Sequence, residues 1–154
     1  MTAALLETWR VHNRATWLMF DALPSKAFGD RYTDRTRTVA AQFAHIHNVR
    51  VSHLQRRGPQ HLGDLEAFER GAEPGKAALK KALKASERAV ANLLAECETT
   101  GKVRSWQNSV TTYLGYFIAH EAHHRALIMV CLRFSGTKAP DAAKYGIWDT
   151  WRKK

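Results

Sequence analysis

The chain of 154 residues carries eight histidines: His12, His45, His47, His53, His61, His120, His123 and His124. Three of them fall within five residues, His120-Glu121-Ala122-His123-His124. On a helix, His120 and His124 stand one turn apart on a common face, while His123 is displaced around the surface. That face continues an apolar stripe, because Tyr113 and Phe117 lead into the two histidines and Leu127 follows them. Two imidazoles one turn apart can reach a single cation, whereas one inward histidine reads best as a hydrogen-bonded core residue. A zinc-type site takes three or four protein ligands, so a third must come from another helix. The segment Ala44-His45-Ile46-His47-Asn48, with His53 beyond it, is the candidate source. His45 and His47 lie on opposite flanks of its apolar centre, Phe43, Ile46 and Leu54, each roughly a quarter-turn away. Periodicity does not choose between them.

The same five residues match HExxH, in which two histidines hold zinc and the glutamate activates water. The remainder of the chain argues against a peptidase. Arg125 to Val130 supplies neither the glycine nor the third histidine of the extended motif, and no glutamate follows Glu121.

Four segments with helical periodicity must position these side chains. Leu6, Trp9, Asn13, Trp17 and Phe20 form the first stripe, ended by Pro24. Val39, Phe43, Ile46, Val49 and Leu54 form the second, ended by Gly58-Pro59. Leu79, Leu83, Ser86, Val90, Leu93 and Cys97 form the third, with Gly101 as its stop. The fourth runs Val110, Tyr113, Phe117, His120, His124, Leu127, Cys131 and Phe134, with Ser105 or Ser109 as its cap and Gly136 after it. Between the second and third, Leu62, Leu65 and Phe68 suggest one or two further helical turns. The stretch from Thr137 onward carries Tyr145, Ile147, Trp148 and Trp151 and is expected to pack back onto the helices, because solvating large apolar side chains costs about 2 kcal/mol each. No segment alternates long enough to be a strand. Four amphipathic helices bury their stripes best against one another, so the expected architecture is an all-α four-helix bundle forming one domain over residues 1–154.

Composition is that of an ordinary globular chain, 45% hydrophobic and 25% charged, which excludes disordered and collagen-like classes. The longest near-apolar stretch, Tyr113 to Ala119, is far short of the ~20 residues that span a bilayer. No secretory leader is read at the start, and Cys97 and Cys131 are too few for a disulfide framework, so a cytoplasmic protein with reduced thiols is expected. The net charge of +10 raises nucleic acid as a partner. Its basic residues are scattered, without interleaved aromatics or zinc-finger spacing, and that partner is not favoured.

Tyr116-Phe117-Ile118-Ala119-His120-Glu121-Ala122-His123-His124-Arg125 resembles the HxxxHR signature of the DinB/YfiT-like superfamily. Phe43-Ala44-His45-Ile46, with Leu54 nine residues past His45, resembles the segment that supplies that family's first histidine, and Tyr145-Gly146-Ile147-Trp148-Asp149 is similar to the tail of some members. The resemblance implies a four-helix bundle, often a homodimer, holding a divalent metal through His45, His120 and His124, and imidazole ligands suit zinc, nickel or iron. It is the resemblance that selects His45 over His47. After Arg125 many members have Gly-Gln, where this chain has Ala126-Leu127. Characterised members include transferases and isomerases that use low-molecular-weight thiols. Three histidines leave open coordination positions for a thiol or water, and Asn13, Glu121 and Tyr113 are candidates by type to orient the imidazoles. Three function classes follow: a metal-dependent thiol transferase or hydrolase acting on a small molecule, a metal-binding or stress protein without turnover, and a basic nucleic-acid-binding bundle with structural histidines.

Overall fold

The computed structural model describes residues 3–153. Its main helices are α1 (Ala3–Ala22), α2 (Val39–Arg57), α3 (Lys76–Thr100), α4 (Val110–Phe134) and a short α5 (Ile147–Arg152). Each boundary has a local cause. Thr38 starts α2 by accepting a hydrogen bond from the Ala41 amide, and Ser109, rather than Ser105, does the same for α4 through the Thr112 amide. Gly101 ends α3 at a φ of 68°, a left-handed conformation that glycine adopts without strain. Among the described residues extended pairing is confined to one isolated bridge, Arg31 with Thr38. None of their helices is long and apolar enough to cross a membrane.

Helices α1 to α4 pack as a bundle, with α2 against both α3 and α4 and α1 against the same two. Burying their stripes creates two apolar clusters. One contains Phe20, Phe28, Phe43, Ile46, Leu79, Leu83, Ile128 and Leu132, and the other Trp9, Leu54, Val90, Leu93, Leu94, Tyr113 and Phe117. On each of α1 to α4 buried polar residues lie between the two clusters: His12, Asn13 and Thr16 on α1, His47 and Arg50 on α2, Ser86 on α3, and Glu121, His124 and Arg125 on α4. The bundle is thus two apolar halves separated by a polar layer.

Three expectations need correction. The connection from α2 to α3 is not helical at Leu62, Leu65 and Phe68; a 3-10 turn over Pro59–His61 is its regular part, and the rest is held by Asn48, whose side chain bonds both the carbonyl and the amide of Phe68. The buried face of α4 is rotated from the predicted stripe. Leu127 is half-buried and Phe134 is 63% exposed against Tyr32, while Glu121, Ile128 and Leu132 face the core. Glu121 is accommodated inside because the buried Arg50 balances its charge. The C-terminal segment does return to the bundle, forming a wide π-helical turn over Ala142–Gly146 and then α5, both against α1. It docks through Ala139 and Ala143, however, and leaves Tyr145, Trp148 and Trp151 exposed. Cys97 and Cys131 are free and buried.

Candidate metal centre

Helices α2 and α4 bring His45, His120 and His124 together, one nitrogen from each lying within 4.8 Å of the others. The Nε2 atoms of His120 and His124 are 3.1 Å apart, and the His45 ring centroid stands 4.6 Å from that of His124 and 5.3 Å from that of His120. On a metal with bonds of about 2.1 Å, two ligand nitrogens in tetrahedral geometry lie roughly 3.4 Å apart, close to the spacing of the α4 pair. His124 is buried, and His45 and His120 are half-buried, so the cluster sits at the edge of the polar layer rather than at its centre.

Protonation favours a ligand set. Burial pushes His124 down to about 3, with His120 and His45 adding to the effect, and burial together with Arg37 and His120 pushes His45 to about 4. His120 is lowered as well, chiefly by burial, against the opposing pull of Glu121. The imidazoles are therefore neutral at physiological pH, the state in which histidine coordinates metal. His124 Nδ1 donates to Gln42 Oε1 at 2.7 Å, which leaves its Nε2 as a lone pair aimed at His120. Among the described residues His120 Nδ1 is buried without a partner. A cation facing both Nε2 atoms satisfies this pair without requiring a proton between them. The donor set is one that can hold a metal ion.

The other sequence candidates are placed elsewhere. His47 turns to the opposite flank of α2, where its Nε2 bonds the Glu66 carbonyl at 2.9 Å. His53 is held by the Tyr113 hydroxyl at 3.1 Å and stacks on Tyr116, which in turn stacks on His120. His123 is exposed, with its ring edge against His124. The three residues expected to orient the imidazoles do other things. Tyr113 holds His53, while Asn13 and Glu121 both serve Arg50. Gln42 is the orienting residue, and the sequence does carry its trace: it precedes His45 by three residues, which places both on one side of α2.

Glu121 is the centre of the polar layer. Arg50 donates to it through Nε and Nη2, each at 2.7 Å, and gives a further bond from Nη2 to Asn13 at 2.8 Å. His12 Nε2 donates to the same carboxylate at 2.7 Å. Burial would raise the Glu121 pKa, but the Arg50 guanidinium and His12 hold it well below the usual carboxylate range. With its oxygens committed to Arg50 and His12, Glu121 lacks the free carboxylate that the HExxH reading requires of a water-activating base.

Arg37 is the cation that bears on all three imidazoles of the cluster. It lines a pocket of about 300 Å³ beside His45, whose wall also includes Asn48, Glu69 and Arg70.

Comparison with curated proteins finds no match, and comparison with solved structures finds none. The family model described as DinB family matches residues 1–152, nearly the whole length. With a helical bundle and three converging histidines as well, the chain belongs to the DinB family.

Proposed function

We propose that His45, His120 and His124 hold one divalent metal and that the protein is a metal-dependent transferase or hydrolase acting on a small molecule, a low-molecular-weight thiol foremost. The observation that carries this reading is the convergence of three neutral imidazoles from two helices, with the proton of one fixed by Gln42. A metal held this way supplies Lewis acidity, lowering the pKa of a coordinated thiol or water toward neutrality. The chain's own residues supply orientation and charge. Gln42 keeps His124 in the tautomer whose Nε2 is free, and the polar layer behind the cluster fixes α4 against α2 through Glu121 and Arg50. Arg37 and Arg70 line the pocket beside His45 together with Glu69, a wall of mixed charge that suits a small molecule carrying both a carboxylate and an ammonium group.

Metal analysis of protein purified without chelator tests the first half. About one divalent ion per chain is expected, and His45→Ala, His120→Ala and His124→Ala should each remove most of it. His47→Ala and His123→Ala should retain it. Loss in His47→Ala with retention in His45→Ala would refute the assignment. Turnover of an electrophile with glutathione or a related thiol, dependent on the metal, tests the second half; stoichiometric metal without turnover of any thiol or ester would leave a metal-binding protein and end the enzymatic reading.

A further inference from the structure

A further cavity lies away from the histidine cluster. It is a groove of about 760 Å³ between α1, α4 and the C-terminal segment, walled by Met19, Met129, Ile147, Trp148 and Trp151. Its α4 residues, Ile118, Ala122, Ala126 and Met129, repeat at helical spacing on the side roughly opposite His120 and His124. The volume is in the range of pockets that enclose small organic ligands, about 300–1,000 Å³. Trp148 and Trp151 are 63% and 41% exposed, so the groove holds large aromatic side chains that its own chain does not cover.

Two cations interrupt this apolar wall, Arg125 and Lys144. Arg125 is 7% exposed, and its Nη1 donates to Thr16 Oγ1 at 2.8 Å. Among the described residues no carboxylate forms an ion pair with it. The carboxylate one turn before it, Glu121, is already taken by Arg50 and His12. Burial holds His12 below its ordinary pKa, so that group is neutral. The buried set of Arg50, Arg125 and Glu121 therefore carries one uncompensated positive charge, and Arg125 is the member that reaches the groove. A buried charge is costly unless it is paired.

We propose that this groove binds an amphipathic anion, a single-chain aliphatic carboxylate whose tail lies along the tryptophans and whose head group pairs with Arg125 and Lys144. The proposal is independent of the metal reading, and binding should persist in the presence of chelator. The test titrates the full chain with monomeric dodecanoate, following tryptophan fluorescence and calorimetry, with dodecan-1-ol as the neutral counterpart. One carboxylate per chain is expected, bound at least about tenfold more tightly than the alcohol, since a charge-assisted pair is worth about that factor. Arg125→Gln should abolish the preference for the carboxylate while alcohol binding survives. Because Arg125 is buried and its replacement also tests folding, Lys144→Glu provides a second reading and should reduce the preference in a protein of unchanged helicity. Trp148→Ala should weaken both ligands together. Equal affinity for carboxylate and alcohol in the unaltered protein would overturn the proposal. So would a dimer in size-exclusion chromatography that Trp148→Ala dissociates, because a second copy would then be the occupant.

Discussion

At the scale of the residue, the site turns on how each imidazole's two nitrogens are used. His124 gives one to Gln42 and presents the other to His120, so its tautomer is set by a neighbour on another helix. Such partners of a ligating histidine typically contribute about 10–100-fold to metal affinity. Gln42→Ala is accordingly expected to weaken metal binding within that range, and Gln42→Glu, which keeps an acceptor, to weaken it less; competition against a chromophoric chelator measures both. Retention of full affinity in Gln42→Ala would show that Gln42 does not set the tautomer. His45 and His47 make the complementary point. They differ by two positions on one helix, yet one meets α4 and the other meets the carbonyl of Glu66.

At the scale of the element, α2 and α4 must start at fixed positions if their histidines are to meet. Both are capped by a hydroxyl, but in different surroundings. Thr38 is fully buried and Ser109 is exposed. Removing a capping side chain costs about 1 kcal/mol, and more of that cost survives where water cannot replace the lost acceptor. Thr38→Ala should therefore destabilise the protein by about 1–2 kcal/mol in urea unfolding, and Ser109→Ala by less. Equal losses would mean that burial of the cap is immaterial. The segment between α2 and α3 shows why short apolar patterns mislead: Leu62, Leu65 and Phe68 are spaced like a helical face, but the side chain of Asn48 takes the backbone bonds of Phe68 that a helix would have used.

At the scale of the whole molecule, the polar layer ties the helices together where the two apolar clusters leave a gap. Breaking a buried ion pair by removing one member strands the other charge, typically at a cost of about 3–5 kcal/mol. Glu121→Gln should lose that much stability, measured by denaturant unfolding, and a loss below 1 kcal/mol would show that water or a counter-ion reaches Arg50. Buried histidines also set a pH dependence. Burial lowers His12, and it lowers His53 to about 4, against ~6.5 in an unfolded chain. Between those values the unfolded state binds more protons than the folded one, so stability rises with pH across the window and is lost as pH falls from ~6.5 toward 4. Thermal unfolding of chelator-treated protein from pH 8 to 4 should show a falling midpoint that starts near the upper value; a midpoint constant across the window would contradict it.

The sequence alone determined four helices, their stops at Gly58-Pro59 and Gly101, the i,i+4 histidine pair and the family to which the chain belongs, because periodicity, chain breakers and short motifs are local properties. Tertiary structure decided the rest. It rotated the buried face of α4 so that Glu121 lies inside and Phe134 outside, since a buried charge is stable only beside a partner contributed by another helix. It selected Gln42 over Asn13, Glu121 and Tyr113 as the residue that orients His124. It left the tryptophans of the C-terminal segment exposed and buried Ala139 and Ala143 instead. Each of these outcomes depends on which side chains from distant parts of the chain arrive at the same place, and no local pattern carries that information.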